Sequence, residues 1–279
     1  MNKLLSAGLT RLKKDKVFWV FVGFMVVMAW FVVINSYLNM KKWGSSVGLE
    51  SILFRHIMFM GVLTAAFSGL FIGTEYSEGT IRNKLVIGHT RRDIYLSSLI
   101  ISITAGVIIC VSYMLSAMIP GIILLGFSEG IIVEVMLQAL LLIMLMTVAF
   151  SAIFTMCGML NQNKALNCVI AIIGAFVMLM FSAFIFNELS NPEMWEEYVY
   201  VDEETGEIVT EPAEPNPFYV SGTKREVYEF LMLFLPSGQT FLIAGGELSH
   251  AGEMAAYSVL IVIASSAAGM YFFQKKDIK

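Results

Sequence analysis

Apolar residues along this chain gather in six long blocks separated by polar stretches. The blocks cover about Val17 to Ser36, Ile52 to Gly73, Ser97 to Leu125, Ile131 to Leu160, Ala165 to Phe186 and Met254 to Phe273. A helix needs ~20 residues to cross the hydrocarbon core of a bilayer, and each block is long enough. The pattern therefore predicts an all-α membrane protein with six transmembrane helices. Pro120 falls near the end of the third span and should kink it, which membrane helices tolerate. The first block is too long for the apolar core of a signal peptide, ~7–15 residues, and bulky Val33, Ile34 and Asn35 stand where a small-residue cleavage site would be needed. It reads as a retained span.

Shorter patterns flank the blocks. Leu4, Leu5, Leu9 and Leu12 recur at helical spacing, with Arg11, Lys13 and Lys14 on other faces. This predicts an amphipathic helix lying on an anionic membrane surface; a plain basic flank that only sets topology is the alternative. Between the fifth and sixth spans, Trp195 to Asp202 and Glu207 to Thr210 are rich in β-formers around Gly206, which predicts a β-hairpin ended by Pro212, Pro215 and Pro217. Phe230 to Gly245 is apolar but broken by Pro236 and Gly238. Each half is too short to span, so two short external or re-entrant helices dipping into the outer leaflet are expected. Three regions follow: residues 1–186 with the surface helix, five spans and a connecting loop at 74–98; residues 187–250, the segment between spans five and six; and residues 251–279, the last span and a basic tail.

Composition agrees with this picture. Hydrophobic residues make up 57% of the 279 and charged residues 14%, with a mean hydropathy of +0.75; soluble domains average ~25% charged. Charge then orients the chain. With the N-terminus inside, Lys3, Arg11, Lys13, Lys14, Lys16, Arg82, Lys84, Arg91, Arg92, Lys164, Lys275, Lys276 and Lys279 are cytoplasmic. Lys41, Lys42, Arg55, Lys224 and Arg225 are external. That asymmetry follows the positive-inside rule and puts both termini in the cytoplasm. The segment from Glu188 to Glu229 carries twelve acids against Lys224 and Arg225. It either recruits a cationic substrate, with Glu203, Glu204 and Glu207 as candidates, or serves as a solvated cap.

Candidate chemistry is sparse. Cys110, Cys157 and Cys168 all lie in apolar blocks and read as small buried hydrophobes. His56, His89 and His250 have no metal-ligand spacing. No phosphate-binding loop and no hydrolase signature occurs, so the chain is expected to be no enzyme and to hold no cofactor or metal itself. The spans are nearly free of charge. Glu134 at the outer end of the fourth reads as an interfacial acid at a helix N-terminus rather than a proton relay. Ion-coupled carriers usually need ionisable groups deep in the bilayer, so the energy for transport should come from another chain.

The loop between the second and third spans, Gly73 to Ser98, carries the most information. Residues 77–86 predict a short helix, with Ile81 and Leu85 on one face and Arg82, Asn83 and Lys84 elsewhere. Gly88 breaks it, and Thr90-x-x-Asp93 resembles a capping box opening the next helix. A short half-apolar helix held at the membrane surface can plug into a pocket on a soluble partner.

Glu75-x-x-x-Gly79-Thr80-Ile81-Arg82-Asn83-Lys84-Leu85, followed by Gly88-x-x-Arg91, resembles the loop signature of type-2 ABC exporter permeases. It is similar in particular to small bacterial permeases of antimicrobial-peptide immunity and peptide export. Ser98 departs from the family pattern, where many relatives carry lysine. The resemblance implies that the loop is a coupling helix docking on an ATPase subunit, with Glu75, Glu78, Gly79, Thr80, Ile81, Arg82, Asn83, Lys84, Leu85 and Arg91 as its residues. It also implies a second permease copy, ATP and Mg bound by the partner ATPase, contact with membrane lipid, no nucleic acid, and residence in a bacterial cell membrane. Gly69-x-x-x-Gly73 fits a close helix–helix contact. A membrane sensor or immunity protein binding a ligand through its acidic segment is the competing reading.

Overall fold

The computed structural model describes residues 1–44, 48–126, 133–201 and 208–277. Helix α1 (Asn2–Lys14) and α2 (Lys16–Trp43) are separated only by Asp15. Its extended backbone ends one helix, and its carboxylate accepts the Phe18 N–H at 3.0 Å to cap the next. On α1 the buried residues are Leu4, Gly8 and Leu12, one turn apart, while Leu9 is exposed. The expected leucine stripe is thus rotated. The helix lies against α6 through Gly8, where the side chain of Ile101 fills the space a Cβ would need.

The span α2 runs seven residues past Ser36, to a left-handed Gly44. Lys41 and Lys42 lie over the rings of Tyr37 and Trp43, so helix continues where hydropathy has already fallen. A five-residue helix α3 (Leu49–Leu53) precedes α4 (Ile57–Ser77). The break between them holds His56, which is buried: Nδ1 lies 2.8 Å from the Leu53 carbonyl, Nε2 3.2 Å from Cys110 Sγ, and the ring stacks on Tyr113. After α5 (Thr80–Val86) come the spans α6 (Arg91–Leu124), α7 (Val133–Leu160) and α8 (Lys164–Leu189). Pro120 lies inside α6.

Among the described residues between α8 and the last helix are four short strands: β1 (Met194–Trp195), β2 (Tyr198–Val201), β3 (Ile208–Glu211) and β4 (Glu214–Pro215). The pair β2–β3 is antiparallel, with Tyr198 opposite Glu211 and Val201 opposite Ile208, as the hairpin pattern predicts. Its connection, with Glu203, Glu204, Gly206 and Glu207, lies outside the described residues. Pro215 does not end the pairing, because β4 pairs with β1 for two residues, short enough to tolerate a missing donor.

The chain then forms α9 (Gly222–Phe234) and α10 (Pro236–Ala244), bent by 91° at Leu235. The break falls at Pro236 alone. Gly238 stays helical because it lets α10 fold back, its Cα facing the Met232 backbone with no room for a side chain. Gln239 fastens the bend: its amide donates to the carbonyls of Leu233 and Met254, and it accepts from Ser258. The last span is α11 (Ala251–Lys275).

Six helices among the described residues are long and apolar enough to cross a membrane. The spans α4, α6 and α7 are largely buried and pack on one another. Each also carries one outer span, α8 on α4, α2 on α6 and α11 on α7. The outer faces of α2 and α8 present Phe24, Val27, Phe31, Ile173, Val177 and Met180 to the surroundings, as a bilayer requires. A smaller apolar cluster of Leu4, Ile72, Ile81, Ile94, Tyr95, Met159 and Phe273 closes the end that carries α1, α5 and the end of α11, here termed the terminal face.

Candidate functional site at the terminal face

Glu75 sits in the last turn of α4 and is buried, with its side chain only 3% exposed. An isolated buried carboxylate is costly, and two cations from other segments meet it. Lys84 of α5 donates to Oε1 at 2.7 Å. Arg11 of α1 brings Nη1 to 2.9 Å from the same oxygen, an ion pair without hydrogen-bond alignment. The guanidinium also lies 4.6 Å above the Phe71 ring and donates through Nη2 to the Phe71 carbonyl. One carboxylate therefore ties the surface helix, a span and the short loop helix together.

Two glycines shape that loop. Gly79 has φ +67°, a left-handed conformation that turns the chain from α4 into α5 in two residues. This is why the loop helix begins at Thr80 and not at Ser77: Ser77 ends α4, and Glu78 and Gly79 form the turn. Gly88, with φ +97°, ends the helix region. Thr90 then caps α6, its hydroxyl accepting the Asp93 N–H at 3.1 Å.

Helix α5 has two faces. Ile81 is buried and Leu85 packs beside it on the terminal cluster. Arg82 and Asn83 point to solvent with Glu78 of the turn. Val86 and Ile87 are 79% and 77% exposed. The ten loop residues singled out by sequence thus divide by position. Glu75, Ile81, Lys84 and Leu85 face inward, Glu78 and Gly79 form the turn, Thr80 opens α5, Arg82 and Asn83 face outward with Glu78, and Arg91 lies on α6. Val86 and Ile87 complete the outward face. They were passed over in the sequence because they read as helix end, although two consecutive apolar residues before a glycine in a polar loop were a visible signal.

Arg91 belongs to a different contact. Its guanidinium donates to the carbonyls of Phe273, at 2.9 Å, and Lys276, so it closes the end of α11. Lys276 in turn donates to the Leu160 carbonyl at the end of α7, and burial lowers its pKa from the usual lysine value. Tyr76 donates to the Met159 carbonyl at 2.6 Å. The ends of α4, α6, α7 and α11 are thereby fastened to one another just beneath α5. Neither Tyr76 nor Lys276 stands out in the sequence.

Gly69 and Gly73 lie where α4 crosses α8. A Cβ on Gly69 would stand 3.0 Å from the Cys168 Cα, and one on Gly73 3.0 Å from the Lys164 Cα. The close approach is made within the chain. Asn167 of α8 crosses the same seam and donates to the carbonyls of Gly69 and Gly158.

A bundle of six spans with a short helix braced across one end defines a polytopic membrane protein. The sequence model described as ABC-2 family transporter protein matches residues 4–202, most of the chain, including Glu75, the loop helix α5 and Arg91. The chain belongs to that family, and is a permease subunit of an ABC transporter, the membrane component and not itself the ATPase. No curated protein matches the chain.

Proposed function

We propose that this chain forms the translocation path of an ATP-driven exporter in a bacterial cell membrane, with both termini cytoplasmic. In this reading α5 is the lever through which a separate ATPase subunit moves the spans. The observation that carries it is the Glu75 junction. Because Arg11 and Lys84 share one buried carboxylate, a push on α5 is passed to α4 directly and to α1, while Val86, Ile87, Arg82 and Asn83 remain exposed for a partner. ATP and Mg bind the partner subunit; closure of the ATPase pair displaces α5, and the spans alternate between two arrangements. Six spans make half of such a path, so a second permease copy, identical or not, completes it. The substrate class is a peptide or an amphipathic compound.

The test is co-purification of the chain with a co-expressed ABC ATPase subunit. Val86→Asp with Ile87→Asp should abolish recovery of the ATPase while the permease still elutes and melts as the wild type does. Undiminished recovery would overturn the lever assignment.

A further inference from the structure

On the face opposite α5, the end of α8, the start of α11 and the bent pair α9–α10 enclose a cavity of about 480 Å³. That is within the usual range for small-molecule sites, ~300–1,000 Å³. Its accessible apolar wall is made by Phe186, Leu189, Leu233 and Leu242, backed by the buried Met232 and Met254. Its rim carries Arg225, Glu229, Glu247 and His250.

The rim charges are not balanced. Arg225 Nε donates to Glu229 at 2.8 Å and its guanidinium lies over the Tyr219 ring, so this cation is already engaged. His250 Nδ1 lies 2.9 Å from Glu253. Glu247 is exposed and makes no ion pair among the described residues. The uncompensated charge at the mouth is therefore negative.

We infer that this pocket binds an organic cation with an apolar body, the body seated against Phe186, Leu233 and Leu242 and the charge at Glu247. The site is separate from the lever reading, since it requires no ATPase and is measured on the permease alone; failure of either leaves the other standing.

Tetraphenylphosphonium and tetraphenylborate share size and shape and differ in the sign of charge. Equilibrium dialysis of each against the purified full chain in detergent, with empty micelles as the blank, provides the test. Saturable binding of the phosphonium is expected, weakened about 3-fold by Glu247→Gln and about 10-fold by Glu247→Lys. Leu242→Trp, which fills the space beside this wall, should block it. The borate should show no saturable site. Absence of phosphonium binding, equal binding of the two ions, or binding that Glu247→Lys and Leu242→Trp both leave unchanged would overturn the inference.

Discussion

Lys84 Nζ lies 2.7 Å from Glu75 Oε1, although nine residues and a left-handed turn separate the two. The pair is held in a junction that water barely reaches, and Arg11 shares the same oxygen. Removing one partner of a buried ion pair leaves an uncompensated charge and costs ~3–5 kcal/mol, far more than an exposed pair is worth. Glu75→Ala is therefore expected to lower the melting temperature of the purified permease, read by intrinsic tryptophan fluorescence. Glu75→Met with Lys84→Met should cost less than the two single changes added, because the second substitution no longer breaks a pair; Arg11 loses its carboxylate in every Glu75 variant. If the double variant is no more stable than the sum of the single changes predicts, the pair is not coupled.

Gly79 supplies the turn that lets Lys84 reach back to Glu75. At φ +67° a Cβ costs ~1–2 kcal/mol, while no atom lies within 4 Å of the position it would take. The strain is conformational and not a clash. Gly79→Asn should be tolerated better than Gly79→Val, since asparagine visits the left-handed region and β-branched residues do not. ATPase stimulation by the reconstituted permease should follow that order. Equal loss in both variants would mean that the residue matters for contact and not for the turn.

The six spans could be read from the sequence because hydropathy reports the bilayer directly. Their ends could not. The last seven residues of α2, with Asn39, Lys41 and Lys42, and the first six of α6, with Arg91, Arg92 and Asp93, are helical despite these polar and charged positions, since backbone hydrogen bonding continues past the apolar core. The loop motif exposed Glu75 and Lys84 as residues to watch. Their pairing was hidden, because a contact across a glycine turn has no period, and Arg11 joins from a helix sixty-four positions earlier. The outward face of α5 was only half visible, since apolar Val86 and Ile87 carry no periodic signal that would mark them as exposed. The bend at Pro236 was legible as a break; the role of Gln239 in fastening it depends on α11 and was not.

The α4–α8 crossing depends on two hydrogen atoms where other residues carry side chains. A methyl group on Gly69 would press on the Cys168 Cα, a backbone atom that cannot move unless α8 moves. Overpacking of this kind costs ~1–3 kcal/mol. Gly69→Ala and Gly73→Ala should each lower the melting temperature. Gly174→Ala on α8, where nothing lies within 4 Å, is expected to be neutral or slightly stabilising, as alanine favours helix over glycine. A matching loss at Gly174 would show that helix propensity and not the crossing sets the effect.

Arg91 acts as a clasp on the last span. The final carbonyls of α11 have no intrahelical partner, and Arg91 supplies donors to Phe273 and Lys276 while placing a cation at the negative end of the helix. Together these contribute ~1–2 kcal/mol, and the effect is local, because the rest of α11 is held along its length by α7. Arg91→Ala should therefore leave the melting temperature nearly unchanged. Amide exchange should quicken about 5- to 30-fold for residues 272–277, and α5 should exchange as before. Arg91→Lys should restore part of the protection, since a lysine keeps the charge and loses the fork that reaches two carbonyls at once. Faster exchange in α5 together with the end of α11 would instead place Arg91 in the lever, and unchanged exchange at both would remove it from the terminal face altogether.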